Sequence, residues 1–175
     1  MHVKAKKMAF GGLMLALTII CMMLGSVIET STLFLLAAAS FFVGIVMRET
    51  GTATGFAFYL AAVLLGFILA PNKLYVLTYA AMGLYILLVE CAWKQLGKLT
   101  GNVNRKLVFW MIKYIIFNLM FIPLIFFFPQ LLFAKKLSGW MMVIIVAAGQ
   151  IGLFLYDRAY EFVQVRFWNK MRKRM

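Results

Sequence analysis

Charged residues divide this sequence into long apolar stretches. The first three stretches, at 8–28, 30–47 and 50–72, contain no Asp, Glu, Lys or Arg. Three more follow at 74–93, 107–128 and 137–156, where Glu90 and Lys113 are the only charges. Each stretch has about the 20 apolar residues that a helix needs to cross a bilayer. The stretches are continuous, whereas strands of a transmembrane barrel would alternate over about 10 residues.

The pattern predicts an all-α integral membrane protein. We expect a bundle of six transmembrane helices that forms a single membrane domain over residues 1–175. The predicted helices lie at approximately 8–28, 30–47, 52–70, 74–93, 107–128 and 139–160. They use most of the chain, so no separate soluble domain is expected. The first apolar stretch is longer than that of a secretory signal, and we interpret it as a retained helix.

Composition supports the same class of protein. Of the 175 residues, 65% are hydrophobic and only 13% are charged, and the mean hydropathy is +0.96. Soluble domains contain about 45–50% apolar and about 25% charged residues. These values exclude a water-soluble globule of this size and also a disordered chain.

The net charge of +13 raises the question of nucleic-acid binding. The positions of the basic residues answer it, because 14 of the 18 fall at the ends of predicted helices on one side of the membrane. These residues are Lys4, Lys6, Lys7, Arg48, Lys94, Lys98, Arg105, Lys106, Arg158, Arg166, Lys170, Arg172, Lys173 and Arg174. Basic residues concentrate on the cytoplasmic side of membrane proteins. We therefore expect both termini in the cytoplasm of a bacterial plasma membrane, contact with lipid, and no nucleic-acid partner.

The sequence lacks the common motifs of enzymes. It has no phosphate-binding G-x-x-x-x-G-K-[ST] loop, no H-E-x-x-H and no G-x-S-x-G. Its one histidine, His2, cannot build a histidine metal cluster, and Cys21 and Cys91 lack metal-ligand spacing. We predict a protein that is not an enzyme and that needs no cofactor or metal.

Small residues form a pattern on the first predicted helix. Gly12 and Ala16 are four residues apart, and Ala9 lies on the same face. Small residues at this spacing let a second membrane helix approach closely. The partner helix belongs either to another protein or to this chain, and the pattern alone does not distinguish the two.

Several polar residues lie within predicted spans. Glu90 and Lys113 lie at similar depths in consecutive antiparallel helices, which predicts an intramembrane ion pair. Such a pair is either structural or a proton or ion relay. Asn118 and Gln150 lie in the middle of the fifth and sixth helices and need partners there, either each other or a ligand. At the end of the sixth helix, Asp157 and Glu161 are expected to be solvated beside Arg158.

A second group of polar and aromatic residues lies near the predicted outer side. Two interpretations are open: a binding site for a small molecule, in which Asn118 and Gln150 would also take part, or an interfacial belt of anchoring side chains. The outer residues are Glu29, Asn72, Lys73, Tyr75, Tyr79 and Trp140.

With these features, the chain resembles the substrate-capture subunits, or S-components, of energy-coupling factor transporters. The resemblance covers length, helix number, orientation, and a basic start followed by Ala-Phe-Gly-Gly-Leu-Met-Leu-Ala-Leu. It implies a six-helix protein that captures a vitamin-like molecule from outside. It also implies docking to a scaffold transmembrane subunit through the face with Ala9, Gly12 and Ala16, while separate ATPase subunits supply energy. The turn at Pro71-Asn72-Lys73 also resembles an uncharacterised membrane family near the S-components.

Two other functions fit the same sequence. One is a non-catalytic scaffold of the cell-shape or envelope machinery, which would bind proteins and no small ligand. The other is a small proton-coupled carrier that uses Lys113 and Glu90.

Overall fold

The computed structural model describes residues 2–97, 104–127 and 139–168, and within these ranges the chain is helical with no strand. A 3₁₀ turn over Glu29–Ser31 precedes the second helix, and a π-helical segment, Val163–Trp168, continues the last one. The six helices are α1 (His2–Val27), α2 (Thr32–Thr50), α3 (Thr52–Leu69), α4 (Lys73–Leu96), α5 (Arg105–Phe127) and α6 (Gly139–Phe162).

The prediction of six membrane-spanning helices is confirmed by their length and composition. Among the described residues, six helices are long and apolar enough to cross a bilayer. Some helices extend beyond the apolar stretches: α1 already includes His2, and α4 continues to Leu96. Polar residues such as Lys and Gln are good helix formers, so a helix does not end where its apolar stretch ends.

The chain forms two compact units. The first unit, Met1–Asn102, contains α1 to α4, and the second, Val103–Met175, contains α5 and α6. Each is described by itself below, and the single membrane domain stays a prediction.

The first unit is built around α2, which packs against α1, α3 and α4. Val43, Val46 and Met47 of α2 are completely buried. The side of α1 that faces this core carries Met14 and Met22. In a bilayer, close packing of side chains, rather than transfer out of water, stabilises such contacts.

A single residue, Gly51, connects α2 to α3. It has a φ of 110°, where a residue with a side chain would be strained. Its amide donates to the Met47 carbonyl at 3.2 Å, and the Lys94 ammonium of α4 donates to the same carbonyl at 3.3 Å. The glycine therefore permits a hairpin in which α3 turns back along α2.

The second unit is an antiparallel pair of helices. Residues later in α5 contact residues earlier in α6: Asn118 lies with Gln150, and Phe121 lies with Gly149. A Cβ atom added to Gly149 would lie 2.3 Å from Cε1 of Phe121. The absence of a side chain at Gly149 thus lets the Phe121 ring lie against the α6 backbone.

Candidate functional site

A buried group of charges joins α5 to α6. The Lys113 ammonium lies 2.8 Å from Oδ2 of Asp157 and 2.9 Å from Oε1 of Glu161. Asp157 and Glu161 are four residues apart and therefore lie on the same face of α6. We call these three residues the acid–lysine cluster.

The acid–lysine cluster is buried at one end and open at the other. The side chains of Lys113 and Asp157 are 2% and 1% exposed, whereas that of Glu161 is 39% exposed. The Lys113 ammonium also lies 4.4 Å from the ring centroid of Phe109 and 5.2 Å from that of Trp110. Aromatic faces stabilise a desolvated cation at these distances. The lysine is thus held between two carboxylates and two rings.

The position of Asp157 differs from the sequence expectation. We expected a solvated helix end where Arg158 neutralises both acids. Instead, Asp157 is buried against Lys113, and Arg158 contacts Glu161 at 3.5 Å from an exposed position. The expectation was wrong because α6 continues as helix beyond its apolar stretch, so this face of the helix stays packed.

A second ion pair lies in the first unit. The Arg48 guanidinium reaches the Glu90 carboxylate with Nε at 2.9 Å from both oxygens, and Nη2 also contacts Oε1. Glu90 is 2% exposed and Arg48 is 39% exposed. The two-point contact matches the planar guanidinium to the planar carboxylate, which fixes the ends of α2 and α4 together.

The predicted pair between Glu90 and Lys113 stays a prediction, because the structure gives each residue a partner within its own unit. Glu90 has Arg48 as a partner, and Lys113 has Asp157 and Glu161. The acids with which Lys113 pairs are on α6, and each lies within the same unit as the lysine.

The two amides within the membrane bond each other. Nε2 of Gln150 donates to Oδ1 of Asn118 at 2.7 Å, and Nδ2 of Asn118 donates to the Tyr114 carbonyl at 2.9 Å. This contact is one of the two alternatives that the sequence left open. Both side chains are half-buried, so a role in binding a ligand stays a prediction.

Two of the outer-side candidates make structural contacts at the α3–α4 turn. Oδ1 of Asn72 accepts the Leu74 amide at 3.0 Å and caps the start of α4. The Lys73 ammonium donates to the carbonyls of Phe67 and Ala70, at 2.9 Å for Ala70. These contacts satisfy backbone groups that helix ends leave unpaired. They explain both residues without a ligand.

The remaining outer-side candidates differ widely in burial. Tyr79 is completely buried in the first unit, and Tyr75 is half-buried. Trp140, in the second unit, is 75% exposed, as an interfacial anchor would be. The side chain of Glu29 lies outside the described residues. Because the candidates fall in two units, their convergence on one pocket stays a prediction.

The small residues of α1 point away from the core. Ala9, Gly12 and Ala16 are exposed, and a Cβ atom added to Gly12 meets nothing within 4 Å among the described residues. The opposite side of α1 carries the buried Met14 and Met22. We call the face formed by Ala9, Gly12 and Ala16 the α1 docking face. Packing within the first unit does not use this face.

The described residues contain no group of three or more His, Cys, Asp or Glu side chains that could hold a metal ion. Cys21 and Cys91 are unpaired thiols.

Comparisons of the chain with protein-family models, with characterised proteins and with solved structures give no match. The class of protein rests on the fold itself. Within the described residues, six helices are long and apolar enough to cross a bilayer, which supports a multi-pass helical membrane protein.

Proposed function

We propose that this chain is the substrate-capture subunit of an importer of the energy-coupling factor type. In this proposal it binds a small vitamin-like molecule on the outer side of a bacterial plasma membrane. It docks a scaffold transmembrane subunit through the α1 docking face, and separate ATPase subunits provide the energy. The chain itself performs no catalysis.

The observation that carries the proposal is the exposure of Ala9, Gly12 and Ala16. Further along the same side of α1, the exposed residues are large: Ile20, Met23 and Val27 are 51%, 42% and 77% exposed. Lipid tails solvate large apolar side chains well, so lipid contact alone does not require small residues at the start of the helix. A partner helix does require them, because backbones approach closely only where side chains are small.

The occupant that we propose for the α1 docking face is an apolar transmembrane helix of the scaffold subunit. The face carries no charged group, and it lies within an apolar span that covers Ala5–Val27. A peripheral soluble protein would meet neither charge nor hydrogen-bonding groups on this face. Van der Waals contact with another membrane helix fits this chemistry.

The proposed orientation places both termini in the cytoplasm. It is supported by the clustering of 14 of the 18 basic residues at one set of helix ends. In a variant without Cys21 and Cys91, a cysteine at position 73 should react with an impermeant thiol reagent added to intact cells. A cysteine at position 105 should react only after the membrane is opened. The reverse pattern would contradict the orientation.

The proposed ligand site lies toward the outer side and includes the half-buried amides of Asn118 and Gln150. Each amide group retains hydrogen-bonding capacity beyond the contact that joins them. Mass spectrometry of small molecules that copurify with the protein tests this part. A single vitamin-like molecule recovered with the wild-type protein, and lost with Asn118→Leu and Gln150→Leu, is the expected result.

Native affinity purification from the host membrane tests the proposal against its main rival. Recovery of a transmembrane scaffold subunit together with ATPase subunits is the expected result. Recovery of cell-wall synthesis or cell-shape proteins, without ATPase subunits, would instead identify a structural scaffold and contradict the proposal.

A further inference from the structure

The acid–lysine cluster contains two carboxylates and one ammonium group. Asp157 and Glu161 share one ammonium, that of Lys113. The nearest further cation that contacts the cluster, Arg158, lies 3.5 Å from Glu161 and its side chain is 62% exposed. An exposed arginine at this distance compensates a buried charge weakly. When all three groups are ionised, Lys113, Asp157 and Glu161 together carry one more negative than positive charge.

The hydrogen bonds of the cluster are also incomplete. Oδ2 of Asp157 accepts from Lys113, but Oδ1 is buried and has no hydrogen-bond donor among the described residues. In the π-helical segment that continues α6, Oε1 of Gln164 is likewise buried without a donor among the described residues. Both atoms are acceptors. A buried carboxylate oxygen without a hydrogen-bond donor is energetically costly.

One added proton corrects both deficits. Bound to Oδ1, it neutralises the surplus carboxylate charge and turns an unsatisfied acceptor into a hydroxyl group. Two carboxylates held close to one another within the membrane favour sharing a proton for the same reason, since like charges repel strongly in a medium of low polarity. Lys113 then remains paired with the second carboxylate.

We propose that Lys113, Asp157 and Glu161 form a proton-binding site that takes up and releases one proton. In uptake, a hydronium ion in water gives its proton to a carboxylate lone pair; one O–H bond breaks in hydronium, and one forms on the acid. The exposed edge at Glu161 is the entrance, and Asp157 is the buried end. This site is independent of the α1 docking face and of the proposed import function.

Proton binding at this site changes the contact between α5 and α6. With both acids ionised, Lys113 contacts two carboxylates one turn apart on α6. With Asp157 protonated, the ion pair with Lys113 becomes a weaker hydrogen bond between an ammonium group and a neutral acid. The protonation state therefore sets how firmly the two helices of the second unit are held together.

The sequence makes this site directly observable, because Asp157 is the only aspartate among the 175 residues. Aspartate labelled with ¹³C at Cγ gives one side-chain carboxyl signal in the wild-type protein in lipid vesicles. Its chemical shift distinguishes the carboxylate from the protonated acid. A pH titration from mildly acidic to mildly alkaline buffer then reports proton binding without any substitution.

The expected result is one reversible step between the two chemical shifts within that range. Lys113→Met should move the midpoint toward alkaline pH because it removes the nearby cation, and Glu161→Gln should move it toward acid pH because it removes the nearby anion. The control Glu90→Gln removes a buried acid that has its own arginine partner, and should leave the midpoint unchanged. If Lys113→Met does not fold, the wild-type titration and Glu161→Gln decide.

Three results would overturn the proposal. One is an Asp157 signal that keeps a single chemical shift throughout the titration. Another is a midpoint that Glu161→Gln leaves in place. The third is a midpoint that sodium chloride displaces but choline chloride at equal concentration does not, since this would assign the site to a metal cation instead of a proton.

Discussion

The ammonium group of Lys113 lies 2.8 Å from the carboxylate of Asp157, a residue 44 positions further along the chain, and both side chains are almost completely buried. An ion pair in this position is costly to form and more costly to break. Replacing both partners leaves no buried charge, whereas replacing one leaves the other without compensation. The stability of the second unit should therefore be sensitive to the replacement of either residue alone.

Lys113→Met should lower the free energy of unfolding by about 3–5 kcal/mol, because it leaves two adjacent carboxylates without their cation. The double variant Lys113→Met with Asp157→Asn should recover part of this loss. Unfolding by denaturant in detergent micelles measures both. The control is Arg158→Met, an exposed cation on the same cluster, which should cost at most about 1 kcal/mol. Equal losses for Lys113→Met and Arg158→Met would contradict the role given to Lys113.

Loss of Arg48 and loss of Glu90 should lower the free energy of unfolding by unequal amounts. Arg48→Met leaves the buried Glu90 carboxylate without its guanidinium and should cost about 3 kcal/mol. Glu90→Gln leaves a guanidinium that is 39% exposed and can turn outward, so it should cost about 1 kcal/mol. The same unfolding measurement compares the two variants. A larger loss for Glu90→Gln than for Arg48→Met would contradict the burial of Glu90.

The close contact between Phe121 and Gly149 predicts a size limit at position 149. Gly149→Ala should cost about 1–3 kcal/mol, since the new methyl group would overlap the ring. Adding Phe121→Leu to Gly149→Ala replaces the ring with a smaller side chain and should relieve the overlap. Gly152→Ala is the matched control, because nothing lies within 4 Å of its added Cβ and alanine favours a helix by up to about 1 kcal/mol over glycine. If both glycine variants have the same effect, the contact is not formed.

Asn72 caps the start of α4, and its substitutions can distinguish a structural role of this residue from a role in binding a small molecule. Asn72→Ala should lower stability by about 1 kcal/mol, and Asn72→Ser should largely preserve it, since serine also caps helices. Thermal unfolding measures this difference. A structural role predicts that Asn72→Ser also keeps any copurifying small molecule, whereas loss of that molecule from a fully stable Asn72→Ser protein would show that the amide binds it.

The sequence predicted the helices well and their contacts only in part. Long apolar stretches identify membrane-spanning helices, because a single segment in lipid can form all of its backbone hydrogen bonds only as a helix. The contact between Asn118 and Gln150 was one of two alternatives, since buried amides need partners. The partners of Lys113 were missed because depth along the chain does not show which faces of two helices meet. The spacing of Asp157 and Glu161, one helical turn apart, was the available signal.

The pair between Arg48 and Glu90 was missed for a related reason. Arg48 was assigned to a cytoplasmic turn, and Glu90 to the nearest lysine in the next helix. However, α2 and α4 are separated by one antiparallel helix, so their carboxyl ends lie on the same side. Residues near both ends can therefore meet, as these two do. Pairing rules that consider only consecutive helices overlook such contacts.

The most direct test of the proposed function compares two double variants in native affinity purification. Gly12→Leu with Ala16→Leu fills the α1 docking face. Ala53→Leu with Ala57→Leu adds nearly the same bulk at the same spacing to exposed alanines of α3. The proposal predicts that the α1 variant inserts normally but loses the scaffold and ATPase subunits, while the α3 variant retains them. Retention of both subunits by the α1 variant would contradict docking through this face.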